Sequence, residues 1–220
     1  MFTDQELIDF YQKLDLLKSN FRKDKEFGFD LMPSQFFLRI RHLNSQTYGT
    51  RCQAYFCYHL DYEITPSSLD CGDFKDSLGY DIEFKCSFQD TENQTINCKQ
   101  IRLWQELDKY IILSIDYADY YDIKFNCYEL KKTEMIEECK LLNAIPVANT
   151  KDRYNEYSSL GLSIKIGSEA HQRWEEKYLN KKFDINKIVS KSINRISNIK
   201  DKESIIKRQE EIIKTFDIQK

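Results

Sequence analysis

Apolar residues recur at helical spacing near the N-terminus. Leu7, Ile8, Phe10, Tyr11, Leu14, Leu16 and Leu17 predict an amphipathic helix over 4–21, with Thr3 as its N-cap. A loop around Lys23–Pro33 follows. Ser34 to Leu60 is aromatic-rich and reads as mostly helical, interrupted near Gly49. The period then changes. GDFKDSLGYDIEFKCSF sets Asp76-Ser77-Leu78-Gly79, a turn sequence, between two extended arms. YIILSID (Tyr110–Asp116) is a short continuous apolar run suited to a strand buried on both faces, and IKFNCYEL (Ile123–Leu130) alternates. Thr133 is placed to cap a helix running to Leu142. Beyond a polar loop (Asn149–Ser159), a strand is expected over Leu160–Ile166 and a helix over Ser168–Leu179. A further helical stretch is expected over Asp184–Phe216, broken near Lys200–Lys202. Strands separated by helices around a strand-rich centre predict a mixed α/β layer architecture.

Composition narrows the class. With 41% hydrophobic and 31% charged residues in 220, the chain is too apolar and aromatic to be disordered. No apolar run approaches the ~20 residues of a membrane span, and MFTDQELIDF lacks a basic segment leading into an apolar one. A soluble, unexported protein with no membrane partner is expected. The seven cysteines are odd in number and form no CxxC pair, so free thiols in a reduced cytoplasm are the simplest setting. None of the three histidines is spaced as a partner zinc ligand. The formal charge of −3 hides an asymmetry: Lys177–Lys220 carries twelve basic against six acidic residues. That basic segment suits a phosphate backbone, and equally a solvated helical face.

The chemistry concentrates in Gly72–Lys85. Alternation along a strand puts Asp81, Glu83 and Lys85 on one face and Ile82 and Phe84 on the other. Asp73, on the preceding arm, can return beside Glu83. Two carboxylates around one point suit a hard divalent cation, and a neighbouring lysine can orient or deprotonate a water on it. Such a set suits metal-assisted phosphodiester hydrolysis. The competing account is a surface hairpin whose Asp, Glu and Lys make cross-strand ion pairs.

The same stretch resembles the core signature of the PD-(D/E)xK nuclease superfamily, and KQIRLWQELDKYIILSID resembles the approach to the next core strand in small type II restriction endonucleases. The resemblance spans roughly Tyr48 to Asp116. It implies a restriction-endonuclease-like fold: a mixed central β-sheet flanked by helices, here with helical N- and C-terminal extensions. It implies a nuclease domain over 1–180 with its catalytic core at about 48–130, and a basic helical extension over 181–220. Asp73 matches the motif aspartate, Glu83 the (D/E) position and Lys85 the lysine, with Asp73 and Glu83 as metal ligands. Asp76 and Asp81 remain rivals to Asp73. There are two departures: Gly72 stands where the family has proline, and the preceding helix offers Gln53 rather than a glutamate.

Four further positions are candidates for supporting roles. Gln100, Arg102 and, less so, Gln105 in KQIRLWQ can bind a phosphate or orient the lysine. Arg51 follows Tyr48-Gly49-Thr50 at an expected helix start, where a phosphate meets free N–H groups. His171 reads as a helix-surface residue rather than a general base, and the tyrosines read as core. The resulting expectation is a Mg²⁺-dependent endodeoxyribonuclease, with Mn²⁺ substituting, that cuts double-stranded DNA at specific sites as a homodimer. The alternatives are a structure- or modification-directed repair or defence nuclease, and a catalytically silent DNA-binding protein on the same fold.

Overall fold

The structure, a computed structural model, describes residues 24, 26–41, 43–66, 69, 71–89, 91–92, 94–119, 122–147 and 159–198. The helix expected over 4–21, nearly all of the loop expected over Asn149–Ser159, and the basic tail beyond Asn198 lie outside the described residues. The chain divides into two compact units, one holding described residues up to Tyr48 and from Asn186, the other Gly49–Ile185.

In the first unit, helix α1 (Pro33–Ile40) opens on proline, whose missing N–H has no partner to lose at that position. It buries Phe36, Phe37 and Ile40, and Phe29 meets Phe36 edge-on at 5.9 Å. Helix α2 (Ser45–Leu60), which from Gly49 on belongs to the second unit, runs unbroken through Gly49, so the interruption expected there is not found. The break falls earlier, between Ile40 and Ser45, because Asn44 Oδ1 accepts the Thr47 N–H at 2.9 Å and starts a new helix.

The second unit is the expected mixed α/β fold. Its main sheet has the order β1-β2-β3-β5-β6, formed by β1 (Glu63–Ile64), β2 (Phe74–Lys75), β3 (Asp81–Gln89), β5 (Lys109–Asp116) and β6 (Lys124–Lys131). β2 and β3 make the expected hairpin. Gly79 takes φ +85° at its turn, and Asp76 Oδ1 accepts the Leu78 and Tyr80 N–H groups. β5 pairs with β3 in parallel and with β6 antiparallel, and it is buried from Tyr110 to Ile115, as its continuous apolar run predicts.

A second sheet, β4-β8-β7, pairs β4 (Thr95–Ile101) with β8 (Leu160–Lys165) and β8 with β7 (Ile145–Pro146). The Asn97 N–H donates to Ser87 Oγ at 2.9 Å and fastens β4 to β3. Between the sheets and the helices lies an apolar cluster that includes Ile96, Ile101, Tyr110, Ile112, Tyr128 and Trp174. The opposite face of β3 is aromatic: Phe84 meets Phe56 of α2 at 5.0 Å and Phe74 at 6.1 Å. Both faces of the motif strand are therefore covered.

Helix α3 (Lys132–Leu141) starts one turn position earlier than expected. Glu134 Oε2 accepts the Lys131 N–H at 2.6 Å, which places Thr133 inside the helix rather than at its cap. Helix α4 (Glu169–Lys177) lies within the helix expected over Ser168–Leu179 and is capped by Ser168 Oγ, which accepts the His171 N–H. His171 is buried rather than on the surface: its Nε2 lies 3.3 Å from Tyr128 Oη and its Nδ1 accepts the Gly167 N–H. Helix α5 (Ile185–Asn198), which from Asn186 on belongs to the first unit, buries Val189 and Ser192. All seven cysteines are free, and Cys52, Cys57, Cys98, Cys127 and Cys139 are buried as small hydrophobes. Among the described residues, no helix is long and apolar enough to cross a membrane.

Glu138 ties α3 to α4. Its buried carboxylate accepts from Arg173 Nε and Nη2, from Trp174 Nε1 at 3.0 Å and from Tyr178 Oη at 3.1 Å. Burial alone would raise its pKa, but the Arg173 guanidinium and these donors hold it below the ordinary value of 4.5. A carboxylate so depressed contributes stability that is complete above its unfolded pKa and lost as pH falls through its folded one. Glu138→Ala strands Arg173 and two ring donors, and should cost about 3–5 kcal/mol in urea unfolding at pH 7. The difference from wild type should shrink below pH 4.5.

Candidate active site

Three elements converge on Glu83. β3 supplies Glu83 and, two residues on along the same face, Lys85. The arm leading into β2 supplies Asp73. Gly72 makes that approach possible: a Cβ at this position would lie 2.4 Å from the Ile82 carbonyl carbon and oxygen, so no side chain fits. The Asp73 N–H then donates to the Ile82 carbonyl at 2.6 Å, and its own Oδ2 accepts the Phe84 N–H at 2.8 Å. α2 adds Gln53, whose Nε2 donates to the Asp73 carbonyl at 3.0 Å. Gln53 is thus the α2 side chain that reaches this strand crossing, at the position where sequence analysis finds glutamine instead of glutamate.

The electrostatics follow from burial. The Glu83 side chain is 5% exposed and forms an ion pair with Lys85 Nζ, whose side chain is 16% exposed. Burial, and then the Glu83 charge, push Asp73 up to about 6. Lys85, the Phe84 N–H and Arg102 oppose the rise without cancelling it. Asp73 Oδ1 and Glu83 Oε2 accept no hydrogen bond among the described residues.

The rival aspartates are committed elsewhere. Asp81 accepts from Lys75 Nζ at 2.8 and 2.7 Å, the cross-strand pair that the bland account of this hairpin expects. Asp76 Oδ2 accepts from Lys109 Nζ at 2.9 Å while its Oδ1 closes the turn. Of the supporting candidates, Arg102 stands within electrostatic reach of Asp73. The Tyr110 hydroxyl donates to its carbonyl at 3.4 Å, and the Gln105 N–H donates to the same oxygen at 3.2 Å. Gln105 is buried and takes part through its backbone, its carbonyl accepting from Lys132 Nζ. Gln100 is exposed, with φ +57° at a β-bulge between Cys98 and Ile101. No hydrogen bond among the described residues links Gln100 to Asp73, Glu83 or Lys85. Arg51 lies in the second turn of α2 rather than at its start, so the free N–H groups expected beside it belong to residues before it.

Tyr110 escapes sequence analysis. It stands beside Glu83 in the β3–β5 register, and burial, then the Glu83 charge, raise its phenol well above the usual range. Only the parallel register places it there, and nothing local marks it in YIILSID.

The donor set bears on which cation fits. Among the described residues, no group of three or more His, Cys, Asp or Glu stands where it could hold a metal ion. Two carboxylates with unused oxygens fall short of a zinc or calcium cage. They suit Mg²⁺, which keeps several waters and takes one or two protein carboxylates. No protein-family model matches this chain, and no curated protein matches it.

Asp73 yields a pH prediction. A carboxyl raised in the folded state destabilises it when ionised, so the cost is absent below the unfolded value of 3.8 and complete above about 6. Asp73→Asn should raise stability by about 3 kcal/mol at pH 8. In urea unfolding that gain should vanish as the pH falls from about 6 to 3.8.

Proposed function

We propose that this protein is a Mg²⁺-dependent endodeoxyribonuclease of the PD-(D/E)xK type, acting on double-stranded DNA as a homodimer in the cytoplasm. The observation that carries the reading is Asp73 brought by Gly72 to the strand of Glu83 and Lys85, with open oxygens on both carboxylates. Seven free thiols support a reduced compartment.

Asp73 and Glu83 would hold the cation, which when bound lowers the pKa of a water and neutralises charge on the phosphate. Lys85 would offer its N–H donors to the scissile phosphate, offsetting the charge that develops as the new P–O bond forms and the old one breaks. Arg102, near Asp73, adds a second positive charge for the phosphate group. Gln53 keeps Asp73 in place through its carbonyl. A duplex cut requires two such sites, which a twofold homodimer supplies, and a palindromic target then matches its symmetry.

Plasmid DNA with Mg²⁺ tests this. Wild type should convert supercoiled plasmid to linear product, and chelation should stop it. Glu83→Gln and Asp73→Asn should each lose at least about 10³-fold in rate, and Lys85→Ala about 10²–10⁴-fold. Discrete fragments from a long DNA indicate site-specific cutting, and nicked circles or smears indicate a structure- or modification-directed nuclease. Binding of DNA with no cleavage under any divalent cation would leave the silent DNA-binding protein.

A further inference from the structure

We infer that Lys85 acts as the internal counter-cation of Glu83, occupying the carboxylate that a divalent cation must take, and that cation binding and release of Lys85 are therefore one coupled event. The inference rests on the metal-site reading of Asp73 and Glu83. It adds a sign to it: the lysine opposes cation binding even though the same chemistry needs both.

A carboxylate 95% removed from water must be paired or neutralised, because losing its hydration costs several kcal/mol. Among the described residues, the side chain paired with Glu83 is Lys85, two positions on along the same strand face. The pair is mostly buried, with side chains 5% and 16% exposed, so solvent screens it little. Arg102 is placed towards Asp73, and no ion pair joins it to Glu83. The surrounding charged pairs, Lys75 with Asp81 and Lys109 with Asp76, are closed on themselves and have no cation to lend. Lys85 thus holds Glu83 Oε1 and leaves Oε2 open, so a divalent cation that takes Glu83 arrives beside the ammonium.

An ammonium and a divalent cation on one carboxylate repel each other, so Lys85 leaves the Glu83 oxygen as the site fills. Its stem is fixed to β3 between Phe84 and Cys86, so the freed amine stays at the site. Before loading, Lys85 satisfies a buried charge. After loading, its N–H donors are available to a phosphate oxygen or a water. The strand thus withholds the lysine from substrate until the cation is present, and weakens the cation's affinity in doing so.

The test is Mn²⁺ binding by calorimetry at pH 8, with Mg²⁺ in competition, on wild type, Lys85→Met, Lys85→Gln and Glu83→Gln. Circular dichroism melts establish that each variant is folded. Lys85→Met and Lys85→Gln should bind Mn²⁺ about five- to tenfold more tightly than wild type, and Glu83→Gln should lose binding. Equal or weaker binding in both lysine variants, with Glu83→Gln still deficient, overturns the inference and leaves the metal site standing. Absence of binding in wild type and both lysine variants overturns the metal reading, and this inference with it. If the lysine variants do not fold, the side-chain amine signal of Lys85 in ¹⁵N-lysine wild type decides. It should move on Mg²⁺ titration, and a signal that stays in place overturns the inference.

Discussion

The backbone of Gly72 runs against that of Ile82 with no room for a Cβ, and the rest of the site depends on that approach. It lets the Asp73 N–H reach the Ile82 carbonyl and the Asp73 side chain reach the Phe84 N–H. Those two bonds aim one carboxylate at the strand that carries the other. Proline, which the resemblance leads one to expect at this position, has a Cβ like any other side chain and does not fit. The substitution of glycine is a requirement of this crossing. The hairpin closes behind it through Gly79 and the carboxylate of Asp76.

Two buried carboxylates in this unit show opposite electrostatic regimes. Glu138 receives four hydrogen bonds, two of them from a guanidinium, and is held below its ordinary range. Asp73 shares its surroundings with Glu83 and is pushed up to about 6. The first arrangement joins two helices and leaves the carboxylate no further capacity. The second buries Asp73 beside another carboxylate and leaves oxygens open, which destabilises the empty site and favours a cation. Structural strain of this kind, kept at one place and offset elsewhere, is expected of a functional cluster.

Much of this was legible in the chain because it is local. The turn Asp76–Gly79, the buried run of β5 and helix α4 each follow from a few neighbouring residues. The ion pair on one face of β3 follows from a period of two. The second sheet was not legible as such, because β4 finds β8 more than sixty residues away and no local signal names that partner. Tyr110 beside Glu83 depends on the same kind of long-range register. The break assigned to Gly49 belongs to Asn44, since a capping bond overrides a weak interior glycine. His171 looked solvated from its polar neighbours, yet it turns inward to Tyr128.

The central claim is that Asp73 and Glu83 together hold a divalent cation. Anomalous diffraction from crystals grown with Mn²⁺ tests it without reference to any reaction. The account requires an anomalous peak between the Asp73 and Glu83 carboxylates, with Lys85 Nζ displaced from Glu83 Oε1. Density showing Lys85 still on Glu83, and no peak at either carboxylate in saturating Mn²⁺, would contradict it.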